Sequence, residues 1–411
     1  KVLTSSAKSG VSVLSLEGTL VENSLEVKPG TLQVLSHQIG IAARVASSSM
    51  TSDVVVVRVV ASDSQTSTST NDLRDHVFES AGLSTQYDAC SYGKQIFSKS
   101  STRTVGSLVI TDGMADVDIS PATVFNKTDQ AVELLVRAKI EALTGVSCST
   151  QFCIASDTYL LFMLPPETIE FEAYAYVPGK ISVYYDVKGN YISYQVHEVG
   201  HNLGMRHASE PADPNNPDDC PSSCEYGDTT GFMGGGTYQL DTPIKCFNGA
   251  KSWELGWYED RHFTYTDNPA GTTISLVGVA DYGTASGDDK VIIKLDATSD
   301  TGSAADVFYV AFNRATGINV GTGQNNDQVL IVTQEGDSIP SYFQTALDQG
   351  EQYQISGDPD HYIRVDSIDT STVPAKATVT ISSGILPPAP PAAPSPPSSP
   401  PALPPAVLSG D

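Results

Sequence analysis

The first half of the chain alternates strand and helix patterns. The run SDVVVVRVVAS, residues 52–62, is typical of a strand buried on both faces, since most of its positions are apolar and β-branched. Further extended stretches are GSLVITDGMADVDI, YLLFMLPPET and FEAYAYVPGKISVYY. Helical patterns over residues 71–80 and 129–145 lie between these stretches. Strands and helices mixed in this way up to about residue 260 predict an α/β sheet with helices packed on it.

The two helical patterns also predict caps and a buried face. Asn71 or Asp72 can cap the first helix, and Gly145 can end the second, because glycine adopts the left-handed conformation without steric cost. In the second helix, four residues recur at helical spacing and are expected to face the core. These residues are Ala131, Leu135, Ala138 and Ala142.

From about residue 261 the pattern changes to short strands alone. TTISLVGV, KVIIKLDA, DVFYVAFN, QVLIVTQE, YQISG and KATVTISS are separated by turn residues, which is typical of an all-β sandwich. A proline-rich run follows, and its composition favours an extended polyproline tail. The predicted organisation is an N-terminal β-rich segment (1–52), an α/β domain (53–260), an all-β sandwich-like domain (261–384) and a proline-rich tail (385–411).

The charge balance restricts the partners of the protein. Acidic residues number 48 and basic residues 23, which gives a net charge of −25. Nucleic acids and anionic membranes would be repelled by this charge, so neither is an expected partner. No apolar run approaches the roughly 18 residues that a membrane span needs. A solvated acidic surface is the simplest interpretation of the charge.

The cysteines indicate an oxidising compartment. No pair has CxxC or zinc-ribbon spacing, so disulfides are expected, although the sequence does not choose among the possible pairings. Asn126-Lys127-Thr128 is an acceptor sequence for N-glycosylation. These features together predict a secreted, extracellular glycoprotein in which all six cysteines are oxidised. The cysteines are Cys90, Cys148, Cys153, Cys220, Cys224 and Cys246.

The stretch HEVGHNLGMRH concentrates the candidate chemistry of the chain. On a helix, His197 and His201 project from one face a turn apart, so both rings can bind one metal ion. Gly204 can end this helix and reverse the chain, which would bring in His207 as a third ligand. The stripe expected to bury the helix consists of Ile192, Val196, Val199 and Leu203.

Three neutral imidazoles leave one position of a tetrahedral zinc ion open, which is the arrangement of a catalytic zinc site. Glu198 lies one residue round from the ligand face, so it can take a proton from water without binding the metal. The alternative is three unrelated histidines at a helix end. The full HExxHxxGxxH string is, however, the metzincin signature, and it is far more specific than a bare HExxH. The sequence therefore predicts a zinc metallopeptidase.

A metzincin also needs a methionine on a tight turn beneath its histidines. The segment TTGFMGGGTY places Met233 in a glycine-rich context, and we predict that it forms this turn; a buried core methionine is the alternative. The loop before it, SEPADPNNPDDCPSSCEYGD, contains no EF-hand spacing. Its acidic residues are therefore expected to be solvated, and its cysteines to pin the loop by a disulfide.

Longer stretches resemble a known family. HEVGHNLGMRHASE, EYGDTTGFMGGG and CFNGAKSWELGWY follow CSYGK, LPPET and AYAYVPGKISVYYD in the same order as in the gametolysin family, the cell-wall lytic metallopeptidases of volvocine algae and their relatives. The resemblance covers residues 53–260 and extends more weakly to VFYVAFNRATGINVGT. It implies an α/β (α+β) metzincin-like catalytic domain with a mixed sheet and an active-site helix. The roles it implies are zinc binding by His197, His201 and His207, acid–base catalysis by Glu198 and the Met-turn at Met233.

Two positions bear on how far the family pattern applies. Members of the family often have tyrosine and serine directly after Met-Gly, whereas here the next tyrosine is Tyr238, which becomes the candidate transition-state stabiliser. Some members replace the first histidine by glutamine and are associated with copper. Because His197 is intact, zinc is the expected metal. Residues 1–52 could be the end of a prodomain.

The predicted function is that of a secreted zinc endopeptidase. By resemblance, its substrates would be hydroxyproline-rich glycoproteins of an extracellular matrix or cell wall. The proline-rich tail would either tether the enzyme near them or act as a passive spacer. The rival interpretation is a matrix adhesion or structural protein with a vestigial metal site, which the β-rich half and the tail favour. Glu198 counts against the rival, because a structural zinc site needs a fourth protein ligand.

Overall fold

The computed structural model describes most of the chain between residues 49 and 386. The described ranges are 49–79, 81–150, 152–169, 171–211, 224–235, 244–297, 306–357 and 359–386. Upstream of them, the backbone of four short strands is described: β1 (Val13–Ser15), β2 (Gly18–Val21), β3 (Ser24–Val27) and β4 (Gln33–Ser36). Strand β1 pairs with β4, and β2 pairs with β3. The rest of the predicted N-terminal segment up to residue 48, and the predicted tail beyond residue 386, lie outside the described residues.

A mostly parallel sheet organises the first half. Its strands are β5 (Met50–Val60), β6 (Gln95–Lys99), β9 (Met114–Asp118), β10 (Thr158–Leu164), β11 (Ala173–Ala175) and β12 (Ile181–Tyr185); β7 (Arg103–Val105) and β8 (Leu108–Ile110) form a separate hairpin. The order is β11-β12-β10-β5-β6, and β5 also pairs with β9 along its second half. Among the described strands of this sheet, β11 alone pairs antiparallel with its neighbour. The prediction of a central strand at 52–62 is confirmed, since β5 lies between β10 and the pair β6 and β9.

Helices cover both faces of this sheet. They are α1 (Thr70–Phe78), α2 (Leu83–Ser91), α3 (Asp129–Thr144) and α4 (Ile192–Asn202). Alternate residues of β5 point to opposite faces, as the strand period requires. Val54 and Val56 pack in the core with α1, α2 and α4, whereas Val55 and Val57 pack in the core with α3. Helix α4, which carries the histidine motif, therefore lies on the opposite face of the sheet from α3.

Two details of the helix predictions are wrong. The cap of α1 is Ser69, whose hydroxyl accepts a hydrogen bond from the backbone of Asp72, so neither Asn71 nor Asp72 is the cap. In α3 the buried apolar stripe is Val132, Val136 and Ile140, not the predicted alanine-rich face. Branched aliphatic side chains remove more apolar area from water than alanine does, so they decide which face is buried. The predicted helix end at Gly145 is confirmed, with φ 72°.

Two further sheets form the second half. The strands are β14 (His262–Thr264), β15 (Thr272–Leu276), β16 (Ile292–Ala297), β17 (Asp306–Phe312), β18 (Val329–Thr333), β19 (Ser341–Leu347), β20 (Gln352–Ile355), β21 (His361–Asp369) and β22 (Lys376–Ser382). The six strands predicted here are confirmed, and β14, β19 and β21 are additional. One sheet has the order β19-β18-β17-β16-β14 and the other β15-β22-β21-β20. Residues of both sheets share one apolar cluster, so the sheets pack on each other.

The two halves of the chain share a β-sheet and a hydrophobic core. The short strand β13 (Ala208–Ser209), from the first half, extends the larger sheet of the second half by pairing with β19. Helix α5 (Gly249–Leu255) links the halves along the chain. The apolar cluster around α4 also contains Val277, Ile292, Tyr309 and Val332 from the second half. The predicted boundary at 260/261 stays a prediction, but the core is continuous across it.

Two disulfides close loops of very different length. Cys90 and Cys246 are separated by 156 residues and tie α2 to the segment before α5, whereas Cys148 and Cys153 are separated by 5. Cys224 is also disulfide-bonded, and no described cysteine is free. In the described part of the chain, no helix combines the length and apolar character that crossing a bilayer requires.

Removal of the long-range disulfide is expected to destabilise the protein more than removal of the short one. The chain-entropy account gives about 5 kcal/mol for a loop of this length and about 2 kcal/mol for the short loop. Cys90→Ala/Cys246→Ala should therefore lower the thermal unfolding midpoint more than Cys148→Ala/Cys153→Ala, the matched control that removes the same atoms. Equal midpoints for the two double variants would contradict this account.

Candidate metal centre

Helix α4 carries the first two histidines. Every residue of this helix is buried, and the predicted apolar stripe is confirmed, with Ile192 and Val199 fully inaccessible to solvent. The buried amide of Gln195 fixes the helix on its neighbours, since its Oε1 accepts a hydrogen bond from the backbone N–H of Leu83 at 2.8 Å. The ring centroids of His197 and His201 lie 4.8 Å apart, one turn from each other.

The chain reverses after α4 and brings the third histidine to the other two. Gly204 has φ 105°, so the reversal uses a conformation that favours glycine, as predicted. The metal-binding atoms of His197, His201 and His207 lie within 4.8 Å of one another, and the Nε2 atoms of His201 and His207 are 3.0 Å apart. Within the described ranges, no other group of three or more such side chains could hold an ion.

Each of the three rings uses its Nδ1 atom for a protein partner. The partners are Phe232 O for His197 at 2.7 Å, Met205 O for His201 at 2.8 Å and Glu225 Oε1 for His207 at 2.6 Å. A carbonyl oxygen or carboxylate only accepts, so each Nδ1 donates its proton and each Nε2 keeps a lone pair. Partners of this kind fix the tautomer and the orientation of metal-binding histidines. The three Nε2 atoms are therefore available to bind a metal ion.

Burial keeps the three imidazoles neutral. Burial, with the charge of His207 as a second cause, lowers the pKa of His201 to about 3. Burial also holds the pKa of His197 well below its usual range, and it lowers the pKa of His207 despite the opposing effect of Glu225. A neutral imidazole is the form that binds a metal ion. The donor set thus fits a divalent ion that accepts nitrogen ligands, such as zinc.

Glu198, the residue after His197 on α4, carries a buried carboxyl group. Its Oε2 atom has no hydrogen-bond partner among the described residues. Burial raises the pKa of this carboxyl group to about 8. A buried ionisable group without partners is costly to a fold, and such groups are concentrated at functional sites.

Met233 lies directly beneath the histidine helix. Its sulfur would be 2.5 Å from a Cβ atom added at Gly200, between the two histidines of α4. The carbonyl of Met233 accepts a hydrogen bond from the backbone of Ala208 at 2.8 Å, so the same residue also supports the chain just after His207. This placement is that expected of a Met-turn, and the role stays a prediction. Tyr238, the predicted transition-state stabiliser, lies outside the described residues.

Two neighbouring residues of the site were missed by the sequence analysis. Glu225 binds the third histidine, and the ring centroid of Tyr226 lies 4.2 Å from that of His207 and 6.0 Å from that of His197. Burial, followed by the charges of Glu225 and Glu198, raises the pKa of Tyr226 to about 12. Both residues stand in the family-like stretch EYGD, but no fixed spacing from the histidines marks them.

The position of the third histidine depends on both halves of the chain. Ser341 of β19 donates its backbone N–H to the carbonyl of His207 at 3.1 Å, and it lies opposite Ala208 in the parallel pairing. The side chain of Asn248 donates to Ser341 Oγ at 3.1 Å and to the buried carboxylate of Asp228 at 2.7 Å. These bonds join β13, the start of α5 and the segment before Met233. The second half is therefore part of the support of the site.

Comparison with known proteins adds a family to this geometry. The family described as Gametolysin peptidase M11 matches residues 54–335, which is more than half of the chain. The crystal structure of wild-type OgpA from Akkermansia muciniphila is similar over 82% of this chain and 96% of its own, with 11% sequence identity and a TM-score of 0.32, too low to support an argument from fold. No curated protein matches the chain. The family match alone carries the assignment: the chain belongs to the gametolysin peptidase M11 family, a family of metallopeptidases.

Proposed function

We propose that the protein is a secreted zinc-dependent endopeptidase. The observation that carries the proposal is the convergence of three imidazoles at a helix on which the next residue, Glu198, is buried. One oxygen of its carboxylate has no hydrogen-bond partner among the described residues. Membership of a metallopeptidase family supports it independently. In this proposal His197, His201 and His207 hold the metal, Met233 supports them from below, and Glu198 is the catalytic residue.

The donor set favours zinc in a catalytic site. Structural zinc sites are closed by four protein ligands, whereas catalytic sites have three and leave a position open. Three nitrogen donors without a thiolate or a second carboxylate also suit zinc better than calcium or magnesium, which prefer oxygen. Glu198 follows His197 on the helix and therefore lies beside the face that carries the metal ligands. We assign it proton transfer and do not count it as a fourth ligand.

The proposed mechanism assigns proton transfer to Glu198. A bound zinc ion supplies Lewis acidity, which makes water more acidic and polarises a peptide carbonyl. Glu198 takes a proton on its carboxylate as water attacks the scissile carbon, and it then delivers that proton to the nitrogen of the leaving amine. Burial raises the pKa of this carboxyl group, which makes it a stronger proton acceptor than an exposed glutamate. The buried surroundings exclude other water from the transfer.

An edge strand beside the site offers a place for an extended substrate. In the first sheet β11 is the outermost strand and pairs only with β12 among the described strands. The side chain of Asn202, at the end of α4, donates to the backbone carbonyls of Tyr176 and Ile181 at 3.0 Å each, so this hairpin is fixed to the histidine helix. A peptide can add to such an edge through backbone hydrogen bonds.

The compartment and the substrate class belong to the proposal as well. Disulfides in the described residues and the sequon at Asn126 support secretion. The resemblance to cell-wall lytic enzymes supports matrix glycoproteins rich in hydroxyproline as substrates, and the proline-rich tail would tether the enzyme near them. The rival function, matrix adhesion with a vestigial metal site, leaves the unpartnered carboxylate of Glu198 unexplained.

Chelation is expected to abolish cleavage of a denatured protein and of a proline-rich glycoprotein. The reason is that the three imidazoles alone supply no Lewis acid. The measurement is cleavage by purified protein before chelation, after chelation and after return of zinc, with the metal content determined at each stage. Activity should follow a content of about one zinc ion per chain. Cleavage by metal-free protein, or none by zinc-loaded protein, would contradict the proposal.

A further inference from the structure

Tyr226 places a phenol at the rim of the histidine cluster. Its ring is tilted 41° on the ring of His207, at 4.2 Å between centroids, and it also lies 6.0 Å from the ring of His197. The side chain is half-buried, and its hydroxyl has no hydrogen-bond partner among the residues that the structure describes. A phenol in partly buried surroundings usually finds a partner, so a bound molecule is a natural acceptor for this one.

The backbone around Tyr226 is held from two sides. Its carbonyl accepts a hydrogen bond from the N–H of Gly235, two residues after Met233. The preceding carbonyl, that of Glu225, accepts from the hydroxyl of Ser209 at 2.9 Å. The ring is thus fixed between the methionine turn and β13, the two segments that also support the histidines. A donor fixed in this way needs little reorganisation during a reaction.

The other polar side chains that the structure describes at this rim already have a role. The Nδ1 atoms of the histidines are bonded to the protein, and Glu225 is engaged by His207. When the carbonyl oxygen becomes negative, Glu198 holds the proton that it delivers to the leaving amine, so that proton is already assigned. Among the described residues, Tyr226 is the remaining side-chain donor whose ring borders both His197 and His207. Peptide hydrolysis places a negative charge on the carbonyl oxygen, and an uncompensated charge there raises the barrier.

We propose that Tyr226 is a catalytic residue whose hydroxyl donates a hydrogen bond to the oxygen of the scissile carbonyl as that oxygen becomes negative. The proton stays on the phenol throughout, and Glu198 alone carries the proton that moves. The proposal rests on the proposed peptidase function and gives this chain a transition-state donor upstream of the methionine turn, at a position different from Tyr238.

The test compares Tyr226→Phe with Tyr226→Leu. Phenylalanine keeps the ring on His207 and removes only the hydroxyl, so zinc content and KM should stay close to those of the wild type while kcat falls about 10²-fold or more. Leucine also removes the ring and should lower zinc content as well. The matched control is Tyr282→Phe, which removes a hydroxyl bonded to Asp260 at 2.8 Å and should leave kcat unchanged.

A second measurement does not depend on turnover. A phosphinic pseudopeptide, in which a tetrahedral phosphinate replaces the scissile bond, should bind zinc-loaded Tyr226→Phe about 10²-fold more weakly than the wild type by calorimetry. The proposal would be overturned if Tyr226→Phe had the kcat of the wild type and the same affinity for the pseudopeptide. The ring would then only pack against the histidines. Loss of zinc in Tyr226→Phe would overturn it too, because the phenol would then be holding the metal.

These outcomes are separable from failure of the proposed function. If zinc-loaded wild type cleaves no peptide, the peptidase proposal fails, and the pseudopeptide titration still decides whether Tyr226 binds a tetrahedral anion. If the wild type cleaves and Tyr226→Phe cleaves equally well, only the role of Tyr226 fails.

Discussion

Replacement of Glu198 by alanine is expected to abolish most peptide hydrolysis while leaving zinc bound. The three imidazoles and their Nδ1 partners are untouched by this change, so about one zinc ion per chain should remain. Turnover should fall by at least the roughly 10²–10⁴-fold that positioned acid–base groups contribute, because the same carboxylate serves both proton transfers. The turnover of Glu198→Gln, which keeps the shape of the side chain and removes the proton acceptor, should fall by a similar factor. The measurement is kcat beside zinc content.

His201→Ala is the contrasting variant. It removes one of three protein ligands, so zinc affinity and activity should fall together. Wild-type turnover in Glu198→Ala would show that the mechanism is wrong even if the zinc site is correct. Retention of full zinc affinity in His201→Ala would show that the three histidines do not form one site.

Truncation of the chain after residue 260 is expected to abolish zinc binding and activity together. The cut removes Ser341, whose backbone supports His207, and it removes β19, the pairing partner of β13. It also exposes the shared core by removing residues such as Ile292 and Tyr309. The loss of this burial should leave the first half unable to fold stably. The measurement is zinc content and turnover, with circular dichroism to follow folding.

Truncation after Leu386 is the control for this experiment. It keeps every strand of the second half and removes only the proline-rich run, so folding, zinc content and activity on small peptides should be preserved. If the tail is a tether, binding to a proline-rich matrix should weaken in this variant. A folded, zinc-binding and active fragment ending at residue 260 would contradict the supporting role assigned to the second half.

Local pattern was enough to predict the elements with strong periodicity. The buried run at β5, the helix ended by Gly145 and six strands of the second half were all predicted. The buried face of α3 was predicted wrongly. Two stripes on this helix could face the core, one of alanines and one of Val132, Val136 and Ile140, and only the packing against the sheet chooses between them. Strand β21 was missed because charged positions interrupt its apolar pattern.

The sequence by itself determined the histidine geometry. His197 and His201 are one helical turn apart by the period of the helix, and Gly204 permits the reversal that returns His207. The candidate acid–base residue follows from the same eleven-residue motif. These relations are local, so they are set by dihedral angles and by helical spacing and do not depend on the rest of the chain.

Only the tertiary structure decided what supports and surrounds that motif. The acceptor of His207 is Glu225, the acceptor of His197 is the carbonyl of Phe232, and the chain after His207 is held by Ser341. Each of these partners is brought in by chain segments with no fixed spacing from the histidines. No periodicity encodes such contacts, because they depend on where separate segments meet once their apolar faces are buried together.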